Sequence, residues 1–385
     1  MGRKDILVVG GGTIGSFYAM IMSKGGFDIH VFEENKEIGV PQHCSGLVSI
    51  DGLKRIGVWD YLEKSGIILN RIRVAKFVSI RGTIRKIELP NYTAVVLDRI
   101  KYDKMLADKA ISNGAHYHLN AKVKKISRSG FIEVKINGKN EKFFGDIIVD
   151  AEGASRNLIK HLPGVHKKGL LPSLQLDVLA HKWILPSDSV ELHFNVDDFF
   201  SWIIPISDEK PIYRVGVATK TLSINYKKFL IDFAKKKLGK IRILNKFGGI
   251  VVSGGPIKRF VWDKIIAIGD AAGHVKPTTG GGLLYGYICA TLAGAFLAIG
   301  RPDLYEKTCK RLVHNTLMRM KNVRSILNIL PDPVLSLVIS AIQSPYVIGD
   351  VMAGDQDVQT DIVLRILKNP FFYAGLTPLR RLLTA

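Results

Sequence analysis

Cysteine is scarce in this chain: Cys44, Cys289 and Cys309 are the three among 385 residues. That number excludes a disulfide framework or a Cys-rich zinc fold, and it fits a reducing compartment best. The ten histidines show no His-x-x-x-His or His-Glu-x-x-His spacing, so no metal site is expected. A Walker A loop and a Gly-x-Ser-x-Gly elbow are both missing, which removes P-loop chemistry and the elbow-type serine hydrolases. No internal repeat, heptad array or low-complexity tract appears. The N-terminus enters an apolar strand at once, with neither the h-region nor the cleavage site of a signal peptide, so export by that route is not expected. Acid is short as well: 34 Asp and Glu stand against 55 Lys and Arg, for a formal net charge of +21. An anionic partner follows, but the chain has no recognised nucleic-acid module, and nucleic acid is not expected to be that partner.

What is present describes a folded, multidomain protein. Hydrophobic residues make up 47% and charged residues 23%, the proportions of a chain that buries a core. The length predicts two or three domains. Asp5 to Gly10 is a short branched apolar run of the kind a parallel strand buries on both faces. A helical stretch to about Lys24 follows, and a second strand, Asp28 to Phe32, ends in Glu33 and Glu34. Within this β-α-β unit stands Gly10-x-Gly12-x-x-Gly15, with Thr13 and Ile14 between the last two glycines. The first glycine turns tightly, the second lets a pyrophosphate approach the backbone, and the third permits close helix–strand packing. The helix N-terminus adds N–H groups and positive potential for phosphate, and Glu33 can accept ribose hydroxyls.

FAD and NAD share this fingerprint. Three further stretches separate them: Asp98-Arg99 with Asp103 and Leu106, Ala154-Ser155-Arg156 just beyond Gly153, and Ile268-Gly269-Asp270-Ala271-Ala272. In this order they resemble the glutathione-reductase-type FAD proteins of the aromatic-hydroxylase and geranylgeranyl-reductase branch. The resemblance implies an α/β fold, in which a Rossmann-type FAD-binding domain carries an inserted antiparallel β-sheet substrate domain and a helical C-terminal region follows. It also implies that Arg99 contacts the FAD, that Asp270 holds its ribityl or pyrophosphate region, and that Gly280, Gly281 and Gly282 lie against the ring. The uncharged run from Gly282 to Ile299 is long enough to nominate a membrane span. In this context it is expected to be an interior helix.

The loop after the second strand, Pro41-Gln42-His43-Cys44-Ser45-Gly46, narrows the likeness to the geranylgeranyl reductase family, including the archaeal digeranylgeranylglycerophospholipid reductases. By that resemblance Cys44, Ser45 and Gly46 lie near the flavin and the substrate double bond. Cys44 is then the expected proton source, and a cationic His43 would make its thiol more acidic. The stretch Phe200-Ser201-Trp202-Ile203-Ile204-Pro205 resembles the family's Tyr-x-Trp-x-Phe-Pro signature. Trp202 and Pro205 match, Phe200 and Ile204 depart from it, and Trp202 is expected to shape the substrate tunnel. The same stretch is similar to the Trp-x-Trp-x-Ile-Pro of flavin-dependent halogenases, for which Lys76 is the nearest thing to the required lysine. The implied reaction is hydride transfer from reduced FAD to an isolated prenyl double bond while a proton reaches the other carbon. A flavin monooxygenase or halogenase is one alternative, and a non-catalytic prenyl-binding carrier is another. With no second Rossmann fingerprint, the electron donor stays open between NADPH, ferredoxin and another reductant.

The expected layout is a discontinuous FAD-binding domain of residues 1–70, 98–168 and 250–300. A substrate domain of 71–97 and 169–249 and a helical region of 301–385 complete it. Between Lys307 and Pro331 six basic residues and no acid are interleaved with apolar ones, leading into the uncharged stretch Val334 to Ile342. A basic amphipathic helix of this kind suits an anionic membrane surface. A cytoplasmic protein that meets an isoprenoid lipid substrate on the inner face of the membrane is the resulting expectation.

Overall fold

The computed structural model describes residues 4–80, 82, 84–220, 225–331, 333 and 334. The chain divides into two compact units. The first contains residues 1–42, 98–170 and 250–321, and the second contains 43–97, 171–249 and 322–385. Two stretches group otherwise than in the expected layout: residues 43–70 with the second unit and residues 301–321 with the first. Most of the expected C-terminal region, residues 335–385, lies outside the described residues.

The first unit is built on a six-stranded sheet. In spatial order its strands are Val261–Trp262, Ile265–Ala267, Ile147–Asp150, Asp5–Val9, Asp28–Phe32 and His116–His118. Every pairing is parallel except that of Val261–Trp262 with Ile265–Ala267. Ile6, Val8, Ile29, Val31, Ile148, Val149, Ile265 and Ile266 are all buried, because crossover connections put helices over the faces of such a sheet. The register pairs Val9 with both Phe32 and Asp150. It therefore delivers Gly10, Glu33 and Ala151 to one edge, at the carboxyl ends of the strands, where open α/β sheets bind ligands. An antiparallel three-stranded sheet, Ala121–Ser127, Phe131–Ile136 and Lys139–Phe144, belongs to the same unit.

The uncharged run forms the helix Leu283–Ala298. Gly286 and Ala290 on it are buried, and a Cβ on Gly286 would come 2.6 Å from Ile14 Cδ1. Its small residues serve packing, and the run is the interior helix expected. Among the described residues no helix is long and apolar enough to cross a membrane.

The second unit has a seven-stranded sheet ordered Ile241–Val252, Leu170–Ala180, Ile212–Ala218, Phe200–Pro205, Ser189–His193, Val74–Val78 and Ile84–Glu88. Its core gathers Leu176, Val178, Ile203, Val215 and Val217 from the sheet against Leu230, Phe233 and Ala234 of the helix Tyr226–Leu238. A small sheet of Leu47–Ser49, Ala94–Leu97 and Ile68–Ile72 follows the Cys44 loop.

Candidate active site

In the first unit the glycines divide their tasks as the fingerprint requires. Gly10 has φ +97°, and a Cβ there would come 2.4 Å from the Ala151 carbonyl oxygen. A Cβ on Gly15 would come 2.0 Å from the Gly10 carbonyl oxygen, so only glycine lets the helix Thr13–Lys24 start this close to the strand. A Cβ on Gly12 would meet nothing within 4 Å, which leaves this stretch of backbone open to a ligand. Gly12 is also the helix N-cap and offers no side-chain cap. The first N–H groups of that helix thus have no side-chain oxygen at the cap, which suits a pyrophosphate.

Glu33 is buried. Its Oε2 accepts from the Gly11 N–H at 2.8 Å, and its Oε1 accepts from the Asn35 backbone and side-chain nitrogens at 2.9 and 2.7 Å. Oε1 is thereby saturated, whereas Oε2 keeps a second lone pair that suits a ribose hydroxyl. Asp98 caps the helix Arg99–Ser112 by accepting from the Lys101 N–H at 3.1 Å. Arg99 and Asp103, one turn apart on that helix, bridge at 3.2 Å. Both reach Thr13: Arg99 donates to Thr13 Oγ1, which donates to Asp103 Oδ1 at 2.6 Å. The motif is therefore not a surface ion pair. It fixes a guanidinium beside the first residue of the helix that follows the glycine triplet.

Arg156 joins two of the other stretches. It is fully buried in a left-handed conformation, φ +48°, after the short turn Gly153–Ser155. Its Nη2 donates to the Asp270 carbonyl at 3.1 Å and its Nη1 to the His166 carbonyl at 2.8 Å. Burial raises the pKa of the Asp270 carboxyl, opposed by the Arg156 and Arg99 charges. Gly269 lies against Ile14, and Asp270 Oδ1 would stand 2.9 Å from a Cβ on Gly282, so a side chain at 282 would crowd the carboxylate. The loop between is closed by the Lys276 N–H donating to the Gly281 carbonyl at 3.0 Å and the Gly280 N–H donating to the Lys276 carbonyl at 2.8 Å. An open glycine cradle, an uncapped helix start, a fixed guanidinium and a buried carboxylate at the end of the second strand together fit FAD.

The second unit holds the Cys44 loop. Cys44 is half-buried, and its Sγ accepts from the Gly46 N–H at 3.4 Å. Gly46 has φ +82°, and a Cβ there would come 2.4 Å from the Leu97 carbonyl oxygen. The Leu97 N–H donates to the Gly46 carbonyl at 2.9 Å. The His43 ring is exposed, and its Nδ1 donates to the Gly248 carbonyl at 2.7 Å. Trp202 is buried, with its ring against Gly216, where a Cβ would come 2.2 Å from the indole. Its Nε1 donates to Gln175 Oε1 at 3.3 Å, and Gln175 Nε2 donates to the His43 carbonyl at 3.2 Å. Trp202 of one motif is thus tied through Gln175 to the backbone of the other at His43, the residue before Cys44.

Gln175, Asp177 and Arg214 were not singled out by sequence reasoning. Arg214 donates to Asp177 through two nitrogens, at 2.7 and 3.0 Å, to the Ser45 carbonyl at 2.7 Å, and lies 5.0 Å over the Phe247 ring. Their signal was present: polar residues at alternate positions of otherwise apolar strands mark a face with something to hold. Lys76, the halogenase candidate, pairs with Glu191 at 3.5 Å, and Glu191 also bonds His193 at 2.9 Å.

No family model matches the chain. Proteins named digeranylgeranylglycerophospholipid reductase from Methanothermobacter thermautotrophicus and Methanopyrus kandleri are 25% and 29% identical to it. They align over 88% and 80% of this chain and 90% and 80% of their own lengths. Among solved structures, a geranylgeranyl bacteriochlorophyll reductase-like protein from Thermoplasma acidophilum superposes with a TM-score of 0.83 at 20% identity, covering 99% of this chain and all of its own. The flavin-dependent halogenase CmlS gives 0.67 at 19% identity, over 96% of this chain and 78% of its own. The family, fold, FAD cofactor and oxidoreductase class implied by the motifs agree with these relatives: the chain is a homologue of the digeranylgeranylglycerophospholipid reductases, built on the fold of FAD-dependent oxidoreductases.

Proposed function

We propose that this protein hydrogenates isolated carbon–carbon double bonds in the geranylgeranyl chains of membrane lipids or their precursors. The observation that carries this reading is the locked Cys44-Ser45-Gly46 loop, in a chain related over most of its length to reductases named for such a lipid. FAD, when bound and reduced, supplies the hydride equivalent. The open backbone at Gly12, set by the turn at Gly10 and the packing at Gly15, would hold its pyrophosphate, Glu33 would hold its ribose, and Asp270 with the 280–282 loop would hold the remainder.

An isolated alkene polarises poorly, so the chain must supply a dry surface and a positioned proton. We assign that proton to Cys44 Sγ. As the S–H bond breaks the proton passes to one alkene carbon, the other being the carbon to which reduced FAD would supply hydride, so that the substrate gains two hydrogens. The thiolate left behind is stabilised by the Gly46 N–H and takes a proton back from solvent. Trp202 and Gln175 hold the His43 carbonyl, and Arg214 holds that of Ser45, so the sulfur stays at a defined position.

Membrane contact belongs to the exposed side of the helical stretch after Pro302. Val313, Leu317 and Met320 on that stretch are buried in the protein, whereas Leu312 and Met318 are exposed beside Arg311 and Arg319. The apolar side is thus partly spent on the core, and the lipid-facing set is smaller than the sequence pattern implied. Wild-type protein is expected to float with vesicles containing anionic lipid, and Leu312→Asp/Met318→Asp to stay behind; equal flotation of the two would remove this face from the reading.

The deciding experiment is anaerobic. Chemically reduced holoenzyme is incubated with a geranylgeranyl phospholipid, and mass spectrometry follows the gain of hydrogen pairs. Cys44→Ala is expected to slow that gain by about 10²-fold or more, the usual contribution of a positioned acid, while keeping its flavin. No gain with wild-type protein on any prenyl lipid would end the reductase reading. Oxygen-dependent turnover stimulated by an aromatic compound, and indifferent to Cys44→Ala, would replace it with a monooxygenase. The ion pair already holding Lys76 speaks against the halogenase variant.

A further inference from the structure

The spacing of histidines and cysteines along the chain shows no ligand set, yet the first unit brings one together. One ligand atom each from His274, Cys309 and His314 lies within 4.8 Å of the others, and all three residues are buried. His274 Nε2 is 3.7 Å from Cys309 Sγ, and Cys289 Sγ is 2.7 Å from Cys309 Sγ. Cys289 and Cys309 are fully buried. Neither His274 Nδ1 nor His314 Nε2 has a hydrogen-bond partner among the described residues, although both are buried. Buried polar atoms are seldom left so, and two in one cluster need an explanation.

The backbone supplies a second, independent pointer. Between the helices Pro302–Cys309 and Asn315–Ile329 the chain makes one π-helical turn, Lys310–His314. In a regular α-helix residues five apart point roughly 140° away from one another, since a turn takes 3.6 residues. A wider i→i+5 turn brings Cys309 and His314 round toward one side. Single π turns inside α-helices are uncommon, and they occur often at functional sites. Here the turn spans the interval between two of the converging groups.

We infer that His274, Cys309 and His314, with Cys289 as fourth ligand, form a buried site for a transition-metal cation of the zinc class. Two imidazoles and two thiols are a closed structural set for that ion. On binding, both thiol protons pass to solvent, and a divalent cation with two thiolates and two neutral imidazoles carries no net charge, which suits a site without water. Two sulfurs each about 2.3 Å from one tetrahedral zinc stand about 3.8 Å apart, so Cys289 and Cys309 separate by about 1 Å when the ion enters. A disulfide would draw them together instead, and it would leave both imidazoles without a task. The ion would pin three pieces of the first unit: the segment that follows Asp270, the helix Leu283–Ala298 that carries Cys289, and the π turn.

The test uses full-length protein purified anaerobically in the presence of zinc. Elemental analysis is expected to find about one zinc per chain, with most of it lost in Cys309→Ser and in His314→Ala. Because those variants could misfold, the wild-type protein is also loaded with cobalt(II), for which a thiolate-to-cobalt charge-transfer band is expected. Absence of stoichiometric zinc together with absence of that band overturns the inference. So does an intact mass 2 Da below the reduced chain that maps to a Cys289–Cys309 bond. None of these readouts depends on flavin or on catalysis, so they stand apart from the reductase reading.

Discussion

Arg214 offers the sharpest test of how the second unit holds its cysteine. Its guanidinium and the Asp177 carboxylate are both buried and meet through two hydrogen bonds, while a third bond goes to the Ser45 carbonyl. Arg214→Met removes the cation and leaves Asp177 as an uncompensated charge in a low-dielectric interior, at a cost of about 3–5 kcal/mol. At roughly 2–4 °C per kcal/mol for a body of 150–250 residues, the melting temperature falls by about 6–20 °C. The double variant Arg214→Met/Asp177→Leu leaves no buried charge and is expected to recover most of that loss, because replacing a buried ion pair by apolar groups is often neutral. It does not restore the donor to Ser45. The double variant is therefore expected to melt near wild type, to bind FAD normally and to remain slow on a prenyl lipid. Thermal unfolding followed by circular dichroism gives the first quantity, and anaerobic mass spectrometry gives the last. If Arg214→Met lost less than about 1 kcal/mol, or if the double variant reduced lipid at the wild-type rate, the positioning argument would be wrong.

Two more expectations follow from particular contacts. In Gly12→Val the added Cβ meets no protein atom within 4 Å and the N-cap backbone is extended, φ −68° and ψ −174°, so the variant should fold at near wild-type stability yet purify without flavin colour. Gly15→Ala should instead cost about 1–3 kcal/mol through overpacking against the Gly10 carbonyl; full flavin content in Gly12→Val would refute the cradle. Burial lowers the pKa of His193 despite its bond to Glu191, so the folded chain resists a proton that the unfolded chain accepts. Stability should accordingly fall as pH drops through the ordinary imidazole range, from about 7 to 5, and urea titrations of His193→Gln should show a shallower slope over that window.

Much of the first unit was legible in the sequence because its signals are local. A parallel β-α-β unit writes itself as an apolar run, a spaced glycine triplet and an acid at the next strand end, and neighbours in sequence are neighbours in the fold. The interior character of the Gly282–Ile299 run was readable only from its context in the flavoprotein pattern, since its small residues suit a membrane as well as a sheet. The Asp98-Arg99…Asp103 stretch was recognisable as a pattern, but only the structure shows its task, since Thr13 lies some 90 positions away. The same holds for the second unit, where Gln175, Asp177 and Arg214 act on a loop more than 130 residues earlier. Strand pairing across such separations is decided by the packing of the whole sheet, and a buried ion pair leaves in the sequence only two polar letters on apolar strands. Composition and the Lys307–Pro331 pattern showed the positive charge, but only the structure shows that Arg156 and Arg214 stand inside the protein as struts. The convergence of Cys289, Cys309, His274 and His314 belonged wholly to tertiary structure, because one π turn and the packing of two helices bring together side chains that no spacing rule connects.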